Sequence, residues 1–349
     1  MAPDDPFLKD SSPLRFLLWL IPAGLLALLI YMVVSALNSA GPAAPQAPAV
    51  TSGAFPRQII EAGGRTVTIP AKPRRIVAAD AGGADVLAAL VEPERIVAVP
   101  GTVGDFAGAT QFYEQHPEIK RFERYDAEAL LSLKPDLVLA SSIHNPNTIQ
   151  ILSDARIPVM LYDTFRSFGG IRDWMLAVGR AVGEDVKAEA LVSLFDARLS
   201  AVEKAVAGRQ APRVLCYSNF GHGFAVGSGE SQDEIIRRAG GTNAAAEMKL
   251  VGHVNFTFEQ MLKLNPDVLV VSGDNGLDSP QVKILLNEPS LAGLSAIKQR
   301  RIAVVPDRYY VSISQYVVEA VEILARQLHP DAFGHEAAPG SAKGERPAP

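Results

Sequence analysis

Cysteine is almost missing: the 349 residues contain one, Cys216. That excludes an intramolecular disulfide and any cysteine-ligated zinc or iron–sulfur centre. Cys216 lies in the run Arg213–Tyr217, where an inert buried thiol is expected. Histidine is sparse too. His116, His144, His222, His253, His329 and His335 form no H-x-x-x-H or H-E-x-x-H pair, so no local zinc motif exists. There is no Walker sequence and no G-x-S-x-G. Gly82-Gly83 stands alone where a dinucleotide fingerprint needs G-x-G-x-x-G, and reads as a tight loop. The net charge is −5 and no basic block interrupts the chain, so nucleic acid is not an expected partner. These absences leave no catalytic residue, no cofactor and no dedicated metal site to assign.

Long apolar runs are also few, and one stands out. Phe16–Leu37 is 22 residues without a charge. As a helix it would be ~33 Å long, the thickness of a bilayer's hydrocarbon core. A cleaved signal sequence is the competing reading, although its apolar region is usually shorter and its leader more basic. Lys9 and Arg15 precede the run and the next basic residue is Arg57, which places the bulk of the chain outside the cytoplasm. The predicted layout is a cytoplasmic segment 1–15, an anchor or signal 16–37 and a Pro/Ala-rich linker 38–56. An N-terminal α/β lobe 57–170, a connecting helical region 171–208, a C-terminal α/β lobe 209–333 and a disordered tail 334–349 follow.

What the sequence does have is a repeat. Asp126–Ser141 reads DAEALLSLKPDLVLAS, and 131 residues on, Thr257–Ser272 reads TFEQMLKLNPDVLVVS. In each copy a capping residue, Asp126 or Thr257, precedes a glutamate, Glu128 or Glu259, at the positive end of a helix dipole. Pro135 or Pro266 disfavours helix in the residue before it. The Leu/Val run that follows is apolar on both faces, as a buried parallel strand requires. Two copies predict two similar lobes. The dipole alone accounts for a glutamate in either place; its recurrence at equivalent places suits a two-fold partner.

Strand patterns at Arg75–Ala79, Arg95–Val99, Leu137–Ala140 and Ile157–Tyr162 alternate with helices. The fold predicted is α/β: two doubly wound parallel-sheet lobes joined by one long α-helix and preceded by an N-terminal transmembrane helix. Gln58–Pro70, around Gly63-Gly64, reads as a hairpin. Val186–Val206 is read as the connector, with Ala190, Leu191, Leu194, Leu199, Val202 and Val206 near one face. Asn219–Ser231 reads as a loop. Ligands of open α/β sheets bind beyond the carboxyl ends of the strands. His144 and His222 stand there, as do Tyr309 and Tyr310, which Tyr217, Phe220, Phe224 and Phe256 could join as an aromatic wall. Arg166 and Arg308 could pair with an anionic ligand.

Taken in order, Gly64–Pro70 (GRTVTIP), Pro73–Val77 (PRRIV), Glu128 with Leu133–Val138 (LKPDLV), Gly240–Asn243 (GGTN) and Glu259 with Leu264–Val268 (LNPDV) form a specific set. Over roughly residues 57–330 the chain resembles the substrate-binding proteins of bacterial ABC importers for iron–siderophores, haem and cobalamin. The resemblance implies a ligand held between two lobes, with Glu128 and Glu259 docking on a permease dimer that works with its ATPase. It adds Asp80, Gly82, Gly83 and Ser142 to the ligand-binding set. A ferric siderophore is the first expectation, cobalamin or another corrinoid the second. Haem is the third, with His144 and Tyr309 or Tyr310 as axial ligands. The first ligand loop departs from the family pattern: relatives often carry Ser-Pro and a Glu where this chain has Asp80, Ala81 and Asp85, which leaves ligand identity open. The implied protein is not an enzyme. It works in the periplasm, held on the inner membrane by a single pass, or secreted there if its N-terminus is cleaved. An anchored ligand sensor without transport is the alternative.

Overall fold

The computed structural model describes residues 49–50, 54–60, 65–162, 166–218 and 223–333. The predicted anchor, most of the linker and the tail lie outside these. Among the described residues no helix is long and apolar enough to cross a membrane. A small antiparallel sheet comes first. Strand β2 (Arg57–Ile60) pairs with β3 (Thr66–Ile69) as the predicted hairpin, and β1 (Ala49–Val50), inside the stretch read as linker, pairs with β2.

The N-terminal lobe then alternates strand and helix. It runs β4 (Ile76–Ala78), α1 (Ala81–Leu90), β5 (Ile96–Pro100), α2 (Val103–Phe106), α3 (Thr110–Gln115), β6 (Lys120–Phe122), α4 (Ala127–Ser132), β7 (Leu137–Ser141), α5 (Pro146–Asp154) and β8 (Val159–Tyr162). The strands lie in the order β6-β5-β4-β7-β8, all parallel. The reason β4, and β7 up to its last residue Ser141, are apolar is visible in their packing. Ile76, Ala78, Leu137 and Leu139 face one core, while Val77, Ala79, Val138 and Ala140 face another.

Helix α6 (Phe168–Val182) ends at Gly183, whose φ of +75° is left-handed. Helix α7 (Asp185–Val206) follows and buries Ala188, Val192, Phe195, Leu199, Val202 and Val206. Steps of four, three, four, three and four make this stripe one face of the helix. The sequence-based face is corrected in part: Ala190 and Leu194 point outward, Leu194 being 59% exposed.

The C-terminal lobe contains β9 (Arg213–Ser218), β10 (Phe224–Val226), α8 (Ser231–Arg238), β11 (Thr242–Asn243), α9 (Ala244–Glu247), β12 (His253–Asn255), α10 (Phe258–Leu264) and β13 (Val268–Ser272). After these come α11 (Pro280–Asn287), α12 (Ser295–Lys298), β14 (Ile302–Val305), α13 (Asp307–Tyr310) and α14 (Val317–Leu328). Its sheet runs β12-β10-β9-β13-β14, with β11 also on β9. The expectation of a wholly parallel sheet fails here, because β10 is antiparallel to both β9 and β12. Residues 219–223 are too few for a crossover, which needs a dozen or more, so the chain can only return antiparallel. Gly223 serves that return at φ +78°; a Cβ there would lie 2.2 Å from the Tyr217 hydroxyl. The two lobes share one apolar core. Ile76, Leu139, Val214, Val270 and Val305 belong to it, with α6, α7 and α14 packed between the sheets.

Candidate functional site

The repeat resolves into scaffold and exposed charge. Asp126 caps α4 through the Ala129 amide at 2.8 Å, and Thr257 and Gln260 form a capping box on α10. In the first copy the Asp136 carboxylate accepts from the Arg74 and Arg75 amides at 2.7 and 2.8 Å. Arg75 in turn donates to the Leu133 and Lys134 carbonyls that end α4. The second copy repeats this, with Asp267 accepting from the Arg213 amide and Arg213 donating to Leu264 and Asn265. Pro-Asp is thus a clasp between a helix end and the next strand. Glu128 and Glu259 take no part in it. Both are exposed, and among the described residues Glu259 meets the equally exposed Lys263, at 3.0 Å.

The loops after the strands' carboxyl ends meet across the lobes. A Cβ on Gly82, after β4, would lie 2.3 Å from Ile313, after β14, and one on Gly108, after α2, would lie 2.2 Å from the Tyr316 ring. Helix α2 touches α13. At this junction Asp85 of α1 is buried. Its carboxylate accepts from the Ala109 and Gly108 amides at 2.9 and 3.3 Å and from Ser314 Oγ at 2.8 Å, while Gln315 donates to its carbonyl. Burial pushes the Asp85 carboxyl up to about 7.

A second polar group lies at the ends of β4, β7 and β8. Asp80 caps α1, its Oδ1 accepting from the Gly83 amide at 2.8 Å and from the Tyr162 hydroxyl. Burial raises its carboxyl above the ordinary range against those hydrogen bonds. Its Oδ2 is out of solvent and has no hydrogen-bond partner; the Tyr125 hydroxyl is in the same condition. The Tyr125 ring packs on His144, with centroids 4.4 Å apart. His144 Nδ1 lies 3.1 Å from the Ser141 amide and 3.0 Å from the Ser141 carbonyl, and Nε2 lies 3.3 Å from the Ala79 carbonyl. Protonated on Nε2, the neutral ring accepts from the Ser141 amide and donates to Ala79; protonated on Nδ1, it donates to the Ser141 carbonyl and leaves Nε2 an acceptor.

Two α/β lobes thus pack around a connecting helix, with their strand-end loops facing one another. The family model for periplasmic binding protein matches residues 76–309. The chain belongs to the periplasmic binding protein family. It is 27% identical to an uncharacterized ABC transporter substrate-binding lipoprotein, YvrC, of Bacillus subtilis, over 80% of this chain and 87% of that one. It is 24% identical to a cobalamin-binding protein of Halobacterium salinarum, over 86% of this chain and 83% of that one. Among solved structures, the apo form of the periplasmic heme-binding protein RhuT from Roseiflexus sp. RS-1 matches with a TM-score of 0.65 and 27% identity. The match covers 74% of this chain and 99% of that one.

The other predicted ligand residues of this binding protein divide by burial. Ser142 and Arg166 are exposed at the ends of β7 and β8, and Phe224 is half-buried on β10. Tyr309 is half-buried and stacks on Tyr316, and Arg308 lies 3.8 Å from Asp274. Gly82 and Gly83 are buried, Gly82 beneath Ile313. Tyr310 turns into the core and donates to Cys216 Sγ at 2.8 Å; burial pushes that thiol up to about 12. Phe220 and His222 lie outside the described residues. Sequence reasoning named Asp85 only as a departure from the family pattern and gave Tyr125 and Tyr316 no role in the site. Phe106, Ile143, Leu277 and Val311 are between 45% and 77% exposed, each following a strand's carboxyl end. A cavity of about 310 Å³ lies elsewhere, lined by Glu203, Val206, Arg237 and Arg238. Its arginines are paired with Asp233, Glu203 and Glu234, so it offers no free charge.

Proposed function

We propose that the protein is the extracytoplasmic substrate-binding component of an ABC importer. It takes a bulky iron chelate or related macrocycle, a ferric siderophore, cobalamin or haem, between its lobes. It then hands the ligand to a permease dimer that works with its ATPase. The observation that carries this reading is the pair Glu128 and Glu259. They stand exposed in the first turns of equivalent helices, one per lobe, outside the clasp that explains the rest of the repeat. The exposed Glu259–Lys263 pair is weak enough to be exchanged for a partner's cation. Two like charges on two similar lobes suit a partner with two-fold symmetry. The apolar residues at the strand ends suit a large ligand with apolar faces. Haem ligation by His144 Nε2 would require the ring to move off the Ala79 carbonyl, while Nδ1 could stay on the Ser141 carbonyl. Phe16–Leu37 would hold the protein on the membrane and raise its concentration near the permease.

The test is uptake by cells carrying Glu128→Arg with Glu259→Arg. Uptake should fall at least about tenfold, as expected when charge pairs at an interface become repulsive. Affinity of the full-length protein for ligand should be unchanged. Normal uptake by the double variant refutes the docking role, and ligand binding with no uptake in any background favours an anchored sensor.

A further inference from the structure

Two polar atoms at the end of the N-terminal sheet lack partners, and they differ in kind. Asp80 Oδ2, as a carboxylate oxygen, accepts; the Tyr125 hydroxyl can donate. They flank one ring. Tyr125 packs on His144, and His144 Nε2 reaches the carbonyl of Ala79, the residue before Asp80. Asp80 Oδ1 is already taken by Gly83 and Tyr162, so Oδ2 is the acceptor that remains. Asp80, Tyr125 and His144 each keep part of their surface open. The two atoms themselves are covered, but the residues that carry them reach the surface beyond the strand ends. Leaving both atoms unmet is unfavourable, and a group bringing one donor and one acceptor relieves both at once.

A primary carboxamide brings that combination, its NH₂ to Asp80 and its C=O from Tyr125. A carboxylate brings acceptors only and would set its charge against Asp80. Building on the import reading, we propose that Asp80 and Tyr125 receive a side-chain carboxamide, so that the protein selects an amide-rimmed macrocycle, a corrinoid, over a carboxylate-rimmed porphyrin. The same argument disfavours chelates whose only groups at that edge are carboxylates.

The experiment titrates full-length protein at pH 8 with cyanocobalamin, with its peripheral monocarboxylic acid derivatives, with haemin and with a ferric hydroxamate. Cyanocobalamin should bind tightest. At least one monocarboxylic derivative should bind roughly ten- to a hundredfold more weakly, the range expected when a buried group is left unmet. Asp80→Asn should shrink that gap by weakening the amide and admitting the acid. Tyr125→Phe, which removes one oxygen and keeps the ring, should weaken cyanocobalamin while leaving a gap. Haemin or hydroxamate binding more tightly than cyanocobalamin overturns the inference and leaves the import reading standing. So does a gap that is absent, or unmoved in Asp80→Asn, as expected if Asp80 is protonated or if solvent alone bridges the pair. Binding of none of the probes overturns the import reading, and this inference falls with it.

Discussion

Asp85 makes the junction between the lobes pH-sensitive, and the sign can be worked out. Its carboxyl rises from 3.8 to about 7, with burial as the main cause and the neighbouring Asp80 adding to it. Tyr113 and Tyr316 also face it. A raised acid binds a proton in the folded protein that the unfolded chain has already lost. Its contribution is therefore complete below about pH 4 and disappears as pH rises through about 7. A shift of about three units at ~1.4 kcal/mol each gives about 4 kcal/mol across that window. Asp85 is 1% exposed, so solvent screening does not reduce the figure. Asp85→Asn is the matching perturbation. It keeps the shape, stays neutral, accepts from Ala109 and can donate to Ser314; it gives up the 3.3 Å bond from Gly108. Urea unfolding of ligand-free full-length protein from pH 4.5 to 8, followed by tryptophan fluorescence, measures both proteins. Trp174, buried on Tyr162, is a reporter within the N-terminal lobe. The variant should be the less stable or equal at pH 4.5 and the more stable at pH 8, with the difference moving by up to about 4 kcal/mol. A difference that does not change with pH refutes the reasoning. So does wild type gaining on the variant as pH rises, which would mean that the three donors hold Asp85 ionised against its burial.

Other changes test the packing. Gly108→Ala drives a Cβ to within 2.2 Å of the Tyr316 ring and should cost about 1–3 kcal/mol by chemical denaturation, much of it recovered in Gly108→Ala with Tyr316→Ala. Phe195→Ala should cost about 3–5 kcal/mol and Leu194→Ser less than about 0.5 kcal/mol, because the first is buried in the shared core and the second faces solvent. Asp136→Ala leaves the Arg74 and Arg75 amides without their acceptor and should lower the melting temperature, at about 1–2 kcal/mol.

The features read correctly from sequence are those whose cause is local. Asp126 and Thr257 cap helices through their own neighbours, Pro-Asp ends a helix within four residues, and the apolar run Leu137–Ala140 of β7 reports burial on both faces. The hairpin of β2 and β3 is equally local. The errors arise where distant residues decide. The outward turn of Leu194 depends on which residues of α14 and the sheets meet α7, and no periodicity within a 22-residue helix with several apolar outliers fixes that. The antiparallel β10 follows from chain length, yet a three-residue strand among glycines and serines has too little pattern to announce itself. Tyr310 was read as a wall of the cleft because it follows a strand. Which of two adjacent tyrosines enters the core was set by Cys216, 94 residues away. Asp85 and Ser314 are 229 residues apart, and their bond has no trace in either segment.

Those long-range contacts limit how the lobes can move. A single apolar core runs from β4 to β14, so separating the lobes would expose it. Asp85 with Ser314, Gly82 with Ile313 and Gly108 with Tyr316 join them on the side of the strand-end loops. The Glu234 carboxylate accepts from the Phe168 amide at 2.8 Å and joins α8 to the start of α6. Arg198 of α7 binds both Glu319 and Glu322 of α14. A hinge swinging by tens of degrees would have to break several of these together, and loss of the Ser314–Asp85 bond would leave buried polar groups unmet. The relative placement of the lobes is therefore largely set by these contacts. Discrimination then falls to side chains already in place, and an unmet acceptor and an unmet donor at fixed positions are worth more in a rigid cleft than in one that can close around any guest.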